Sequence, residues 1–407
     1  MNIIFFAHFA GSPDHGMVYG HYFLAREWVK LGHQVTIIAA SFAHTRFVQP
    51  IQSKKIQEQH IDGIKYIWIP TPVYKPEKWF GRILSILAYT FKIKYLKLPI
   101  ENADIVICSS HFPSPIYTAR RYAIRFKAKL VFEVRDIWPL TLTELGSVSK
   151  KNPFIVWLQR AENYAYQHAD KVVSVLPVAK SHMIAHGMNE NKFVYIPNGV
   201  DLESNTSRAP LPSEHLNRLM TFRENKKIII GYAGRVGLAN VLHVLIEALA
   251  LCNDPEIGIA ILGDGSHLEE IKKLAQKLGI TENILFLAPV KKNQVQHFLS
   301  GIDVAFIGLQ KQSIFRFGVS PTKLNDFMLA SKPIIYAIDT PYNIVEISDA
   351  GFSCSPEDSV ALCKLLNKIK RTDPLSLQKM GQRGHDWIRV NHSYEVLAKK
   401  FIDALNQ

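Results

Sequence analysis

The stretch Ile230-Gly231-Tyr232-Ala233-Gly234-Arg235-Val236-Gly237-Leu238-Ala239-Asn240 joins a short apolar run to a glycine-rich turn, and Val241–Leu251 continues with apolar residues at helical spacing. Strand, tight turn and helix in that order make half of a βαβ unit. The pattern repeats outward in both directions. Upstream, strands are expected at Asn2–His8, Gln34–Ala40, Lys65–Ile69, Ile105–Cys108, Lys129–Val134, Lys171–Val175 and Lys192–Ile196, with a helix over Tyr19–Leu31. Downstream, they are expected at Lys227–Ala233, Gly258–Leu262, Ile284–Leu287, Val304–Ile307 and Pro333–Tyr336, with helices over His267–Leu278 and Pro321–Ala330. Alternation of this kind predicts the α/β class: parallel sheets covered by helices on both faces.

The chain has 407 residues, which suits two such domains. Residues 1–200 read as the first and 227–385 as the second. The polar stretch 201–226, with two prolines, reads as a linker. Residues 386–407 read as a helix crossing back to the first domain. Parallel sheets bind ligands beyond the carboxyl ends of their strands, so the site is expected in a cleft between the domains.

A hydrophobic content of 47% against 20% charged residues excludes a disordered chain. The scattered Cys108, Cys252, Cys354 and Cys363 form no C-x-x-C, which argues against a zinc site and fits a reducing cytosol. No signal peptide or transmembrane helix is expected. Charge is lopsided: residues 1–198 hold 24 Lys+Arg against 13 Asp+Glu, while 199–407 hold 24 against 22. A basic first domain suits nucleic acid, anionic lipid or a phosphorylated substrate.

The segment from Gly318 to Pro333 carries the most chemistry. Ser320 and Pro321 suit an N-cap and first helical position. A helix start offers unpaired N–H groups and partial positive charge to a phosphate. Lys323 adds a full charge, and Asp326 could accept from two sugar hydroxyls. A diphosphate followed by a ribose needs that order of groups. Arg235, in the Gly234–Asn240 turn, is placed to fork onto the same diphosphate. Asp264, in Gly263-Asp264-Gly265, reads as a turn residue.

In the first domain, the loop Ala10–Met17 follows the first strand, and Gly16 would let backbone approach a ligand. Phe132-Glu133-Val134-Arg135-Asp136-Ile137-Trp138-Pro139 ends a central strand with three charges. Arg135 and Asp136 are expected to face the acceptor, with a structural Arg–carboxylate pair as the alternative. His111 also follows a strand. No Asp-x-Asp and no His/Cys cluster occurs, so metal-independent chemistry is expected, driven by Arg235, Lys323 and helix dipoles. Lys75–Lys97 holds six Lys or Arg and one acid among aromatic and aliphatic residues. It reads as an amphipathic segment for an anionic membrane surface, or as a core helix with a basic edge.

These residues resemble glycosyltransferase family 4 over nearly the whole chain, which implies the GT-B fold of two facing Rossmann-like domains. Ile196-Pro197-Asn198-Gly199-Val200-Asp201 looks like the family's interdomain segment, and Gly234-Arg235 like its phosphate-binding turn. Asp326 falls at the second Glu of its E-x7-E motif, implying a ribose contact. Glu133–Pro139 with Ser320–Leu324 resembles a bacterial O-antigen and capsule subgroup that includes N-acetyl-L-fucosaminyltransferase-like enzymes. Three positions depart: Gly318 replaces the first Glu, Asn240 replaces an expected Lys whose charge Lys323 could supply, and Arg135 replaces a frequent His. The resemblance implies a retaining, metal-independent transferase. It would move an N-acetylated sugar from a nucleotide-diphosphate donor, expected to be UDP-linked, to a polyprenyl-diphosphate-linked saccharide at the inner face of the cytoplasmic membrane. Gly234, Gly237, Asn240, Ser320, Thr322, Lys323, Leu324 and Asp326 would bind donor. Asp14, His15, Gly16 and His111 would bind acceptor. Arg235, Lys323, Asp136 and Arg135 would act in catalysis. No cofactor or metal is expected. A nucleotide-sugar epimerase is the alternative enzyme. A nucleic-acid binder fits less well, because the basic and aromatic residues form one amphipathic stretch.

Overall fold

The computed structural model describes residues 1–16, 20–75, 79–110, 112–146, 148–203 and 209–406. The chain divides into two compact units, Met1–Asn198 with Phe317–Ser320 and Tyr394–Gln407, and Gly199–Arg316 with Pro321–Ser393.

The first unit is built on eight strands: β1 (Asn2–Phe6), β2 (Gln34–Ala40), β3 (Gln57–Ile61), β4 (Ile64–Ile69), β5 (Ile105–Ser109), β6 (Lys129–Val134), β7 (Lys171–Ser174) and β8 (Phe193–Tyr195). Their order is β3-β4-β2-β1-β5-β6-β7-β8. All pairs are parallel except the β3–β4 hairpin. That hairpin turns at Asp62 and Gly63, both with positive φ, as a two-residue Asp-Gly turn requires. β3 escapes the sequence reading because its Gln-Glu-Gln-His run lies at an edge with three exposed positions. Central strands are buried along almost their whole length, as a sheet covered on both faces demands. Order reverses between β1 and β5, so the loops after these strands flank the switch point.

The second unit has six parallel strands: β9 (Ile228–Ala233), β10 (Ile257–Leu262), β11 (Ile284–Leu287), β12 (Val304–Gly308), β13 (Ile334–Ala337) and β14 (Gly351–Ser353). Their order is β11-β10-β9-β12-β13-β14. Ile230, Leu245, Ile259, Phe306 and Leu366 make its core. The short edge strand β14 lies outside the sequence reading. Cys252 and Cys363 are not scattered in space: their sulfurs lie 2.8 Å apart as free thiols.

Two expectations need correction. The stretch 201–226 is not a bare connection, because Ser213–Glu224 is a helix that buries His215 and Leu219. The pattern is weak there, since only those two residues are fully buried, and residues 204–208 lie outside the described set. The final helical stretch breaks at Ser393 into Pro374–His392 and Tyr394–Asn406. Only the last helix belongs to the first unit. There Trp28 Nε1 donates to the Ala398 carbonyl at 3.1 Å, Phe23 stacks on Tyr394, and Phe401 meets the edge of Trp28.

Candidate active site

In the second unit, a pocket of about 400 Å³ opens at the carboxyl ends of β9 and β10. Its lining brings Arg235, Lys292, Lys323, Asp264 and Asp326 together, with Gly234 and Gly263 in its wall. Both glycines are obligatory. Gly234 has φ +139°, and a Cβ there would meet Lys323 Cε at 2.6 Å. Gly263 has φ +150°, and its Cβ would fall 2.0 Å from the Gly234 carbonyl oxygen. Neighbouring turns thus approach each other backbone to backbone in the pocket wall, which only residues without a Cβ allow.

Lys323 sits on the first turn of the helix Thr322–Leu329. Its ammonium donates to Tyr232 Oη at 2.5 Å and to Asn240 Oδ1 at 3.1 Å, and lies 4.4 Å from the centre of the Tyr232 ring. Burial pulls its pKa down to about 8. The charge missing at position 240 is therefore delivered to Asn240 from another element. Arg235 is exposed, and among the described residues its guanidinium has no hydrogen-bond or ion-pair partner, while its carbonyl accepts from Tyr232 and Asn240. A free guanidinium beside a half-buried ammonium is an anion site waiting for charge.

Asp326 pairs with Lys292, a cation the sequence reading missed because it lies in a polar surface helix, Lys292–Ser300, with no motif around it. Asp264 accepts from the Gly265 N–H at 2.6 Å, as a turn residue should.

Other expected donor residues fall elsewhere. Ser320 does not cap the helix: Pro321 occupies the cap position with no side-chain bond. Ser320 lies in the first unit, where its hydroxyl accepts from the Asn198 N–H at 3.1 Å and its carbonyl from Asn198 Nδ2 at 2.9 Å. Leu324 is 1% exposed and serves the core. Gly237 has negative φ and open space around it, so nothing local requires glycine. Thr322 is exposed at the helix start. Gly318 has φ +92°, and its Cβ would strike Pro177 at 2.5 Å. A Glu cannot stand there without moving the chain.

The first unit holds a buried polar network at the ends of β5 and β6. His21 Nε2 lies 3.0 Å from both Ser109 Oγ and Glu133 Oε2. Glu133 Oε1 accepts from Arg135 Nη1 at 3.2 Å, and Arg135 Nη2 donates to Asn198 Oδ1. Burial opposes the charge on Glu133, but His21 and the Arg135 guanidinium outweigh it and hold the carboxyl well below the usual range. Arg135 is thus committed to a structural pair, the alternative that the sequence left open. Its neighbour Asp136 is exposed to water.

The expected acceptor loop is also partly structural. His15 is 4% exposed, accepts from the Ser12 backbone N–H through Nδ1 and packs edge-on against Trp68. Gly16 has φ +72° and faces Phe47, whose Cδ2 would lie 2.7 Å from an added Cβ. Its freedom serves the turn rather than a ligand. Asp14 and Gly16 are exposed, and His15 is not. His111 lies outside the described residues. Among the described residues, no group of three His, Cys, Asp or Glu is arranged to hold a metal ion, and no helix is long and apolar enough to cross a membrane.

Residues 16–204 match Glycosyltransferase Family 4, and residues 218–387 match Glycosyl transferases group 1. The chain is a family 4 glycosyltransferase. Curated relatives of this glycosyltransferase include the probable glycosyltransferase WbjE of Pseudomonas aeruginosa, 25% identical over 77% of each chain. The putative colanic acid biosynthesis glycosyl transferase WcaI of Escherichia coli (strain K12) is 22% identical over 83% of this chain and 82% of its own. Among solved structures, Anabaena HepE in complex with UDP superposes with a TM-score of 0.67 at 16% identity, covering 100% of both chains. The glycosyltransferase therefore has the GT-B fold, with a Rossmann-like parallel sheet in each unit.

Proposed function

We propose that this glycosyltransferase retains anomeric configuration and needs no metal. It would transfer an N-acetylated sugar from a UDP-linked donor to a polyprenyl-diphosphate-linked saccharide in O-antigen, capsule or other surface polysaccharide biosynthesis. The observation that carries the donor half is the convergence of Arg235, Lys292 and Lys323 on one pocket at the strand ends of the second unit. Three cations suit a diphosphate, and Asp326 suits the ribose once Lys292 turns to phosphate. HepE, solved with UDP, and WcaI, named for colanic acid, support the donor and pathway class.

In the reaction, the acceptor hydroxyl oxygen forms a bond to the anomeric carbon as the bond from that carbon to the β-phosphate oxygen breaks. The hydroxyl proton passes to the departing phosphate on the same face, so no side-chain base is required and configuration is kept. Arg235 and Lys323 neutralise the charge that grows on the leaving diphosphate. Asp136, exposed just past the carboxyl end of β6, would orient the acceptor hydroxyl. The helix Trp79–Tyr95 exposes Trp79, Phe80, Phe91 and Tyr95 beside Lys92 and Lys94, which suits peripheral adsorption to the anionic inner face of the cytoplasmic membrane. Its other face, Ser85, Ile86, Tyr89 and Ile93, is buried in the unit's own core. Residues 76–78 of the expected membrane segment lie outside the described residues.

The test is transfer from UDP-N-acetylhexosamines to lipid-linked saccharide, followed by mass spectrometry and NMR of the new anomeric centre, with EDTA present. An α-linked product from an α-linked donor is expected. An inverted product, or activity abolished by EDTA and restored by a divalent ion, contradicts the proposal.

A further inference from the structure

The amino end of the second sheet holds a cavity that the donor chemistry leaves unused. It encloses about 380 Å³, within the range of about 300–1,000 Å³ that takes a small organic ligand. Lys227 and Ile228 enter β9 there, and Asp303 and Pro333 precede β12 and β13. The turn between the helices Ser359–Arg371 and Pro374–His392 closes it. Ile228 begins β9 in this cavity, and Ala233 ends it in the donor pocket. The two cavities are therefore separated by the length of that strand, roughly 17 Å at about 3.3 Å per residue. Parallel sheets ordinarily take ligands at their carboxyl ends, so the usual crevice of the fold does not account for this one.

The charges lining it do not balance. Lys227, Lys332, Lys370 and Arg371 stand against Asp303 and Asp373. Lys370 is answered from outside the lining, by Asp254 at 2.5 Å and Glu256 at 2.6 Å. Asp303 is already taken, accepting from Arg223 Nη1 at 2.6 Å and from the Ile229 N–H at 2.7 Å. Asp373 caps the helix Pro374–His392, accepting from the Ser376 N–H at 3.0 Å. Among the described residues, Lys227, Lys332 and Arg371 have no carboxylate in ion-pair contact. Lys227 and Arg371 are exposed. Lys332 is half-buried, and its ammonium donates to the Ile302 carbonyl at 2.8 Å. Burial pulls its pKa down, and the nearby Asp303 carboxylate, shared with Arg223, offsets this only in part. A desolvated ammonium held by carbonyl dipoles is poorly compensated, and an anion beside it would supply what is missing.

The rest of the lining is hydroxyl and amide. Ser331, Thr372 and Gln378 face the same space, and the side chains of Ser331 and Gln378 make no hydrogen bond among the described residues. The wall carrying Ser331 and Lys332 is set by a close backbone contact: a Cβ on Gly381, in the helix Pro374–His392, would fall 1.9 Å from the Ser331 carbonyl oxygen. We propose that this cavity binds the phosphate monoester of a sugar, with the phosphate on Lys227, Lys332 and Arg371 and the sugar hydroxyls on Ser331, Thr372 and Gln378. A phosphate monoester carries about −1.5 to −2 charge near pH 7 and three acceptor oxygens. A carboxylate, with one charge, would leave two of the three cations unanswered. The site is additional to the donor pocket and independent of what that pocket binds.

The test is calorimetry on the full chain with glucose 6-phosphate, in saturating UDP so that the donor pocket is occupied. Inorganic phosphate and glucose are the comparisons. Glucose 6-phosphate is expected to bind the wild type, inorganic phosphate more weakly, and glucose not at all. Lys227→Glu with Arg371→Glu, at exposed positions that folding tolerates, should weaken glucose 6-phosphate at least tenfold and leave UDP binding unchanged. Lys332→Met should weaken it similarly. Lys364→Glu with Lys379→Glu, which makes the same change of charge outside the cavity, should leave it intact, as should Arg235→Ala in the donor pocket. No binding of glucose 6-phosphate by protein that binds UDP overturns the site and leaves the donor pocket standing. Displacement of glucose 6-phosphate by UDP, inorganic phosphate or glucose binding as tightly, or wild-type affinity in Lys227→Glu/Arg371→Glu overturns it equally.

Discussion

Lys323 titrates within reach of a working pH. With its pKa near 8, a rise in pH removes the proton that a bound diphosphate needs. UDP affinity is expected to be highest below pH 8 and to fall by at most about tenfold per unit above it, as loss of one coupled proton dictates. A Lys323→Met variant should bind more weakly and lose that pH dependence, which calorimetry between pH 7 and 9.5 would reveal. Gly234→Ala forces a side chain into a left-handed position against Lys323, so about 1–3 kcal/mol of stability should be lost along with nucleotide affinity. Glu133→Ala should be costlier, about 3–5 kcal/mol, because it leaves the buried side of Arg135 without its carboxylate. Denaturant titration of Glu133→Ala beside Glu133→Ala/Arg135→Ala tests this: the double variant should recover part of the loss. The sequence identified Arg235, Lys323 and Asp326 because each sits in a strand–turn–helix motif. It could not show Lys292 or the role of His21, since a surface Lys and a helical His carry no local pattern and gain partners only through the tertiary fold.

At the scale of elements, the helix Thr322–Leu329 does what its sequence suggests in position but not in its cap. Pro321 leaves its start without a side-chain acceptor, and Ser320 serves Asn198 instead. Expected boundaries fall within one or two residues for most strands, since buried parallel strands are continuous apolar runs. β3 and Ser213–Glu224 were illegible for the converse reason: one is a polar edge and the other presents two buried side chains. The last helix, Tyr394–Asn406, is part of the first unit's core through Tyr394, Leu397 and Phe401. Phe401→Ala is expected to cost about 3–5 kcal/mol. Differential scanning calorimetry should place that loss in the transition of the first unit and leave stabilisation by UDP in place. A loss confined to the UDP-stabilised transition would contradict the assignment of this helix.

For the whole molecule, the alternation of strands and helices made both parallel sheets legible, and the lopsided charge fell as the division into units does, with the basic half in the first. What the sequence could not separate was structure from chemistry at the ends of β1 and β6, where His15, Gly16 and Arg135 prove committed to their own loops and network. Donor chemistry is therefore proposed for the second unit, with Arg235 and its neighbouring cations binding a nucleoside diphosphate. The most direct measurement is thermal unfolding of the wild type and Arg235→Ala with UDP, GDP, dTDP and ADP. Stabilisation by UDP in the wild type, lost in a variant whose unliganded melting point is unchanged, is the expected result. Equal stabilisation of both proteins, or no response to any nucleotide, would contradict it.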